Sequence, residues 1–219
     1  MFLHGYLSSK ESFYPQINYF SRHFRVTAPD LPGFGGSELI PAAWSVGEYA
    51  DWLEGFLKER GIVFPNVIAH SFGGRVAIKC LARGLFDRAV LTGCAGIVRR
   101  RTLSYHIRVK SYRLVRKFAP RFAEAKFGSA EYRSLSPLMR ESYKKIVNED
   151  LREEAKRIAR PVLYLNGEHD RETPLSSVRI LHECTAGSQL AVLKGCGHFA
   201  HLEEPLLFNL AAEEFLNDA

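Results

Sequence analysis

Three side chains that together can turn an alcohol into a nucleophile occur in the order Ser71, Asp170, His198. A serine hydroxyl attacks poorly until a neighbouring base takes its proton. An imidazole does that near neutral pH. A carboxylate then fixes the imidazole tautomer and stabilises the imidazolium that forms. Each residue also has an ordinary reading: a helix-capping serine, a turn aspartate, a surface histidine. Glu168 is a rival carboxylate and His201 a rival imidazole, although His201 lacks the flanking glycines Gly195 and Gly197 that let the chain bend around His198. Order sets the trio apart, because Ser, Asp and His each fall just past a predicted strand.

The local segments fit those roles. In Ile68-Ala69-His70-Ser71-Phe72-Gly73-Gly74 a strand feeds directly into a helix with the serine at the bend. Such a turn needs small residues two before and two after the serine, which Ala69 and Gly73 supply; the usual motif has Gly at the first position. In Leu163 to Asp170 (LYLNGEHD) an apolar strand ends in a glycine turn and a carboxylate. In Phe2-Leu3-His4-Gly5-Tyr6 a strand end leaves backbone N–H groups near the serine, and those of Tyr6 and Phe72 are the candidate oxyanion hole. One donor of such a hole is typically worth about 10²–10³ in rate.

The elements that must carry these residues alternate between apolar runs and helical periodicity, the pattern of a mostly parallel sheet flanked by helices. Strands are predicted at 1–3, 24–28, 66–69, 88–92, 161–166 and 189–193. Helices are predicted at 14–23, 46–60, 72–83 and 205–216. Residues 97–160 differ: they read as several basic helices without strand signal, divided by Pro120 and Pro137. The expected organisation is an α/β core of 1–96 and 161–219 with a helical lid at 97–160. Ile97, Leu103, Tyr105, Ile107, Tyr112, Leu114, Phe118, Phe122 and Phe127 would give it an apolar wall or pack it onto the body.

Charge follows the same division. Residues 99–160 hold 18 Lys/Arg against 7 Asp/Glu, a net +11, leaving −5 of the chain's +6 for the remainder. Solvated helix faces explain this most simply; attraction of anionic substrates or a membrane surface is the sharper alternative. The insert lacks the glycine, aromatic and metal-ligand signatures of nucleic-acid modules. No apolar run reaches bilayer length, and the first residues lack a secretory pattern. The cysteines 80, 94, 184 and 196 show no C-x-x-C spacing. Free thiols and a cytoplasmic location are expected.

Taken together, the Ser71, Asp170, His198 and His4-Gly5 segments resemble the α/β-hydrolase family, in its serine-nucleophile branch with a helical cap. The stretch Asp30 to Ser37 (DLPGFGGS) also resembles that branch's loop after its fourth strand, so Asp30 receives a structural role. The resemblance implies a sheet of roughly eight parallel strands, a small-molecule substrate, no metal and no organic cofactor. It implies cleavage of a carboxylic ester or related acyl bond through an acyl-enzyme. A carbon–carbon bond hydrolase acting on a dienoate ring-fission product is one alternative. A non-catalytic ligand-binding or signalling protein on the same scaffold is another. Relatives carry a two-strand hairpin ahead of His-Gly. Those two strands are missing here, which points to truncation, or to a sheet edge at 24–28 that pairs with a second copy.

Overall fold

The computed structural model describes residues 1–98 and 135–217. Five parallel strands lie side by side in chain order: β1 (Phe2–Leu3), β2 (Val67–His70), β3 (Ala89–Thr92), β4 (Val162–Gly167) and β5 (Gln189–Leu193). Because all five run the same way, His4, Ser71, Gly93, Asp170 and His198 all follow carboxyl ends of strands. Open α/β sheets place their clefts at that edge.

Alternation along the strands splits the core into two layers. Leu3, Ala69, Leu91 and Tyr164 face one cluster, which takes in the buried faces of α2 (Val46–Glu59) and α3 (Phe72–Ala82) and also Val178 and Leu181 of α6 (Leu175–Cys184). Phe2, Ile68, Val90, Leu163 and Leu165 face the other, packed against Phe20 of α1 (Tyr14–Phe20) and Phe208, Ala212 and Phe215 of α8 (Pro205–Asn217). Ser45 starts α2 with a capping box in which Glu48 returns to the Ser45 N–H at 2.7 Å, pairing two amide donors that helix starts otherwise leave open.

Two expectations need correction. Residues 24–28 form no strand. Phe2 N–H donates to Thr27 O at 2.9 Å, but among the described residues nothing pairs with the segment's other side, and a ladder needs repeated bonds. Pro137 falls at a helix boundary, as expected: it opens α4 (Pro137–Val147), with Ser136 as cap, where its missing N–H costs nothing. The helix α6 was not foreseen, nor was the single turn α7 (Ala200–Glu203). The four cysteines are free.

Of residues 97–160, the structure describes 97–98 and 135–160. Leu103 through Phe127, and Pro120, lie outside the described residues. The described end of this segment is helical, with α4 and the short α5 (Arg152–Ala155), and it is tied firmly to the body. Ser142 Oγ donates to Trp44 O at 2.6 Å and Lys145 Nζ to Ala43 O at 2.6 Å. The buried Arg75 of α3 donates to Glu149 O at 2.7 Å, while Lys79 pairs with Glu149 at 2.6 Å and Glu154 at 3.2 Å. Leu151 N–H donates to Gly96 O at 2.8 Å and Val98 N–H to Asp150 Oδ2 at 2.9 Å. Both ends of the segment thus meet at one point beside the sheet.

Asp30 shapes the loop between α1 and α2. It accepts from the Lys10 N–H at 2.7 Å, the Lys10 ammonium at 2.8 Å and the Gly36 N–H at 3.0 Å. Burial alone would raise its pKa, but these donors outweigh burial and hold it at about 2. Its contribution is complete above the ordinary carboxylate range and is lost only as pH falls toward 2.

The crossing of α3 over β1 is a very close backbone approach. A Cβ on Gly73 would lie 2.3 Å from Leu3 O and 2.7 Å from His4 O, both rigid backbone. Gly73→Ala is expected to lower stability by roughly 1–3 kcal/mol. Gly55→Ala, on α2 with nothing within 4 Å of the added carbon, should be neutral or stabilising by up to about 1 kcal/mol. Thermal unfolding of the two variants checks the contrast.

Candidate active site

Ser71 sits at the bend between β2 and α3 with φ 51° and ψ −107°. This is an unusual backbone for a residue with a side chain, and such positions cost about 1–3 kcal/mol. Its hydroxyl makes no capping bond to the helix, so the capping-serine reading fails. The Ser71 N–H donates to Thr92 O at 3.0 Å. Phe72 opens α3, where an N–H has no carbonyl within the helix to meet.

His198 arrives from the loop after β5. Its Nδ1 lies 2.9 Å from Asp170 Oδ2, with both side chains largely out of solvent. A carboxylate only accepts, so Nδ1 carries the hydrogen and Nε2 is left as the basic nitrogen. Asp170 also accepts from the N–H of Glu172 at 2.9 Å, the N–H of Thr173 at 2.8 Å and the Thr173 hydroxyl at 2.7 Å. Burial pushes the Asp170 pKa up, but His198 and Thr173 outweigh it, and the carboxyl titrates below its ordinary range. It therefore stays ionised as partner to the imidazole.

The rivals stand elsewhere. Glu168 is exposed and accepts from Gly195 N–H at 3.0 Å. His201 is fully buried, its ring 4.8 Å from Phe13 and 4.7 Å from His70. Two supports were not read from the sequence. Thr173 could have been found as the hydroxyl residue three after Asp170, a spacing that lets it cap the carboxylate. Gly93 has φ 51°, and a Cβ there would lie 3.0 Å from His198 Nδ1 and Cε1; only the fold brings that imidazole across β3.

The loop after β1 completes the edge. His4 Nδ1 donates to Gly5 O at 2.8 Å and Nε2 accepts from Leu31 N–H at 2.9 Å. Burial lowers its pKa, so His4 is a neutral bracket between two loops. A Cβ on Gly5 would lie 3.7 Å from Ser71 Cβ, which puts Gly5 and the following Tyr6 beside the serine. The Tyr6 ring packs on Phe34 at 4.8 Å and Phe72 at 5.4 Å, and its hydroxyl donates to Met139 O of α4 at 2.9 Å.

The sequence model of the alpha/beta hydrolase family matches residues 1–211. The chain belongs to that family. Over 74 residues, 34% of this chain, it is 32% identical to the (E)-2-((N-methylformamido)methylene)succinate hydrolase of Acinetobacter baylyi, and that alignment spans 28% of the relative's length. It is 26% identical to carboxylesterase YbfK of Bacillus subtilis across 98% of this chain and 78% of that one. Among solved structures, the meta-cleavage product hydrolase CumD of Pseudomonas fluorescens IP01 superposes with a TM-score of 0.75. The two are 25% identical, over 99% of this chain and 89% of that one. The α/β-hydrolase fold and hydrolase class therefore stand.

The histidines behind the site carry a pH signature. Burial first, then His198, lowers the His201 pKa to about 4. An unfolded histidine binds its proton near 6.5, so the unfolded state takes up protons that the folded state refuses. Stability should fall as pH drops from 6.5 toward 4, by roughly 1.4 kcal/mol per unit for His201. Urea unfolding across that range should show this slope, and His201→Phe should flatten it.

Proposed function

We propose that this protein is a serine hydrolase that cleaves a small carboxylic ester or related acyl bond, with Ser71 as nucleophile, His198 as base and Asp170 as its orienting acid. One observation carries the reading. The buried 2.9 Å bond from His198 Nδ1 to Asp170 leaves the other ring nitrogen basic, at the sheet edge where an uncapped serine stands in a strained turn.

In this mechanism His198 Nε2 takes the Ser71 Oγ proton as the oxygen attacks the substrate carbonyl. The imidazolium is balanced by Asp170. The N–H groups of Tyr6 and Phe72 donate to the tetrahedral oxyanion. Collapse expels the leaving group, which takes the proton from His198. Water then attacks the acyl-enzyme by the same route, returning Ser71. No metal or organic cofactor takes part. Residues 97–160 form the lid over the substrate, on a core of 1–96 and 161–219. Among the described residues no helix is long and apolar enough to cross a membrane, and a cytoplasmic site of action is part of this reading.

The likeness to CumD favours a second reading, hydrolysis of a carbon–carbon bond in a vinylogous diketone by the same three residues. Comparing rates on short esters and on a dienoate ring-fission product separates the two.

A fluorophosphonate probe should label the native protein at Ser71 alone, as located by mass spectrometry. Ser71→Ala should abolish labelling, and Asp170→Asn should slow turnover about 10⁴-fold. A well-folded protein that is not labelled would overturn this function.

A further inference from the structure

His70 precedes Ser71 in the chain, and its ring reaches the base from behind. His70 Nε2 lies 3.0 Å from the main-chain oxygen of His198, a contact between residues 128 positions apart. A carbonyl only accepts, so Nε2 carries the hydrogen and donates it. The ring is 2% exposed and held on several sides. The rings of His198 and His201 each lie 4.7 Å away and that of Phe199 5.1 Å away. A Cβ on Gly5 would stand 2.9 Å from His70 Nδ1, so the loop bearing Tyr6 rests on the same ring.

We infer that His70 is a positioning residue for acyl transfer: its Nε2–H grips the His198 carbonyl and sets the distance at which the imidazole meets the Ser71 hydroxyl. The inference rests on the serine-hydrolase reading above. Nucleophile and base come from separate strands, and their spacing is otherwise a sum of two loop conformations. His70 shortens that path to one hydrogen bond, because it is joined to Ser71 by a single peptide. Misplacement by about 1 Å can cost 10²-fold in rate. Burial first, then His201 and His198, holds its pKa well below the ordinary range, so the ring stays neutral during turnover.

The test compares donors of different reach. Gln carries an N–H at nearly the place of imidazole Nε2; Asn is one methylene shorter; Leu has a similar volume and no donor. Second-order rates of fluorophosphonate labelling at Ser71 and kcat on p-nitrophenyl butyrate are measured well below each variant's melting midpoint. His70→Gln should stay within about 3-fold of the native rate, while His70→Asn and His70→Leu fall about 10–100-fold in kcat and labelling with KM little changed. If Asn does not fold, Leu alone supplies the comparison with Gln. Equal loss in Gln and Leu would mean that packing, not the hydrogen bond, matters, and would overturn the inference. So would a donor-free variant that labels at the native rate. Absence of labelling in the native protein is a separate outcome: it removes the hydrolase reading and this inference with it.

Discussion

Everything at the carboxyl edge of the sheet depends on one close crossing, the start of α3 passing over the end of β1. Gly73 permits it, since any side-chain carbon there would meet Leu3 O at 2.3 Å. With the crossing closed, the bend at Ser71 is forced into a positive φ. The loop of Gly5 and Tyr6 is drawn beside the serine, where Phe72 opens α3. The strain at Ser71 is offset by the core beneath, where Ala69, Leu91 and Tyr164 pack with α2 and α3. Core burial of this kind returns about 25 cal/mol for each Å² of apolar surface.

A second constraint is electrical. Among the described residues, the edge holds several imidazoles, and one carboxylate, Asp170, is hydrogen-bonded to one of them. Asp170 is kept charged by three donors besides His198, while burial keeps His4, His70 and His201 on the neutral side. A charged neighbour would make the His198 imidazolium harder to form. With His4, His70 and His201 neutral, no positive charge on those rings opposes the pairing of His198 with Asp170.

The segment after β3 adds a mechanical link. Its described end is bound to α3 through Arg75 and Lys79 and to the loop ahead of α2 through Ser142 and Lys145. Tyr6 bridges α4 and the loop beside Ser71 in one side chain. The described end of the insert and the loop beside Ser71 thereby share an anchor.

Much of this was legible in the chain itself. Short apolar runs mark β2, β3 and β4, because burial on both faces leaves little choice of residue. The glycines at positions 73 and 167 mark turns where backbone must approach backbone. Ser71, Asp170 and His198 could be picked out by their places after strands, without knowing that Asp170 and His198 pair. Other features needed tertiary contacts. The segment 24–28 has strand composition, but a ladder needs repeated bonds to a neighbour, and Phe2 N–H to Thr27 O supplies a single one. The helix α6 is defined by Val178 and Leu181 docking under the sheet rather than by a strong local start signal. The bond from His70 to His198 joins residues 128 apart, and no local pattern encodes a distance between loops. Residue types determined which chemistry was available; the packing of β1, α3 and the β5 loop decided which of those groups touch.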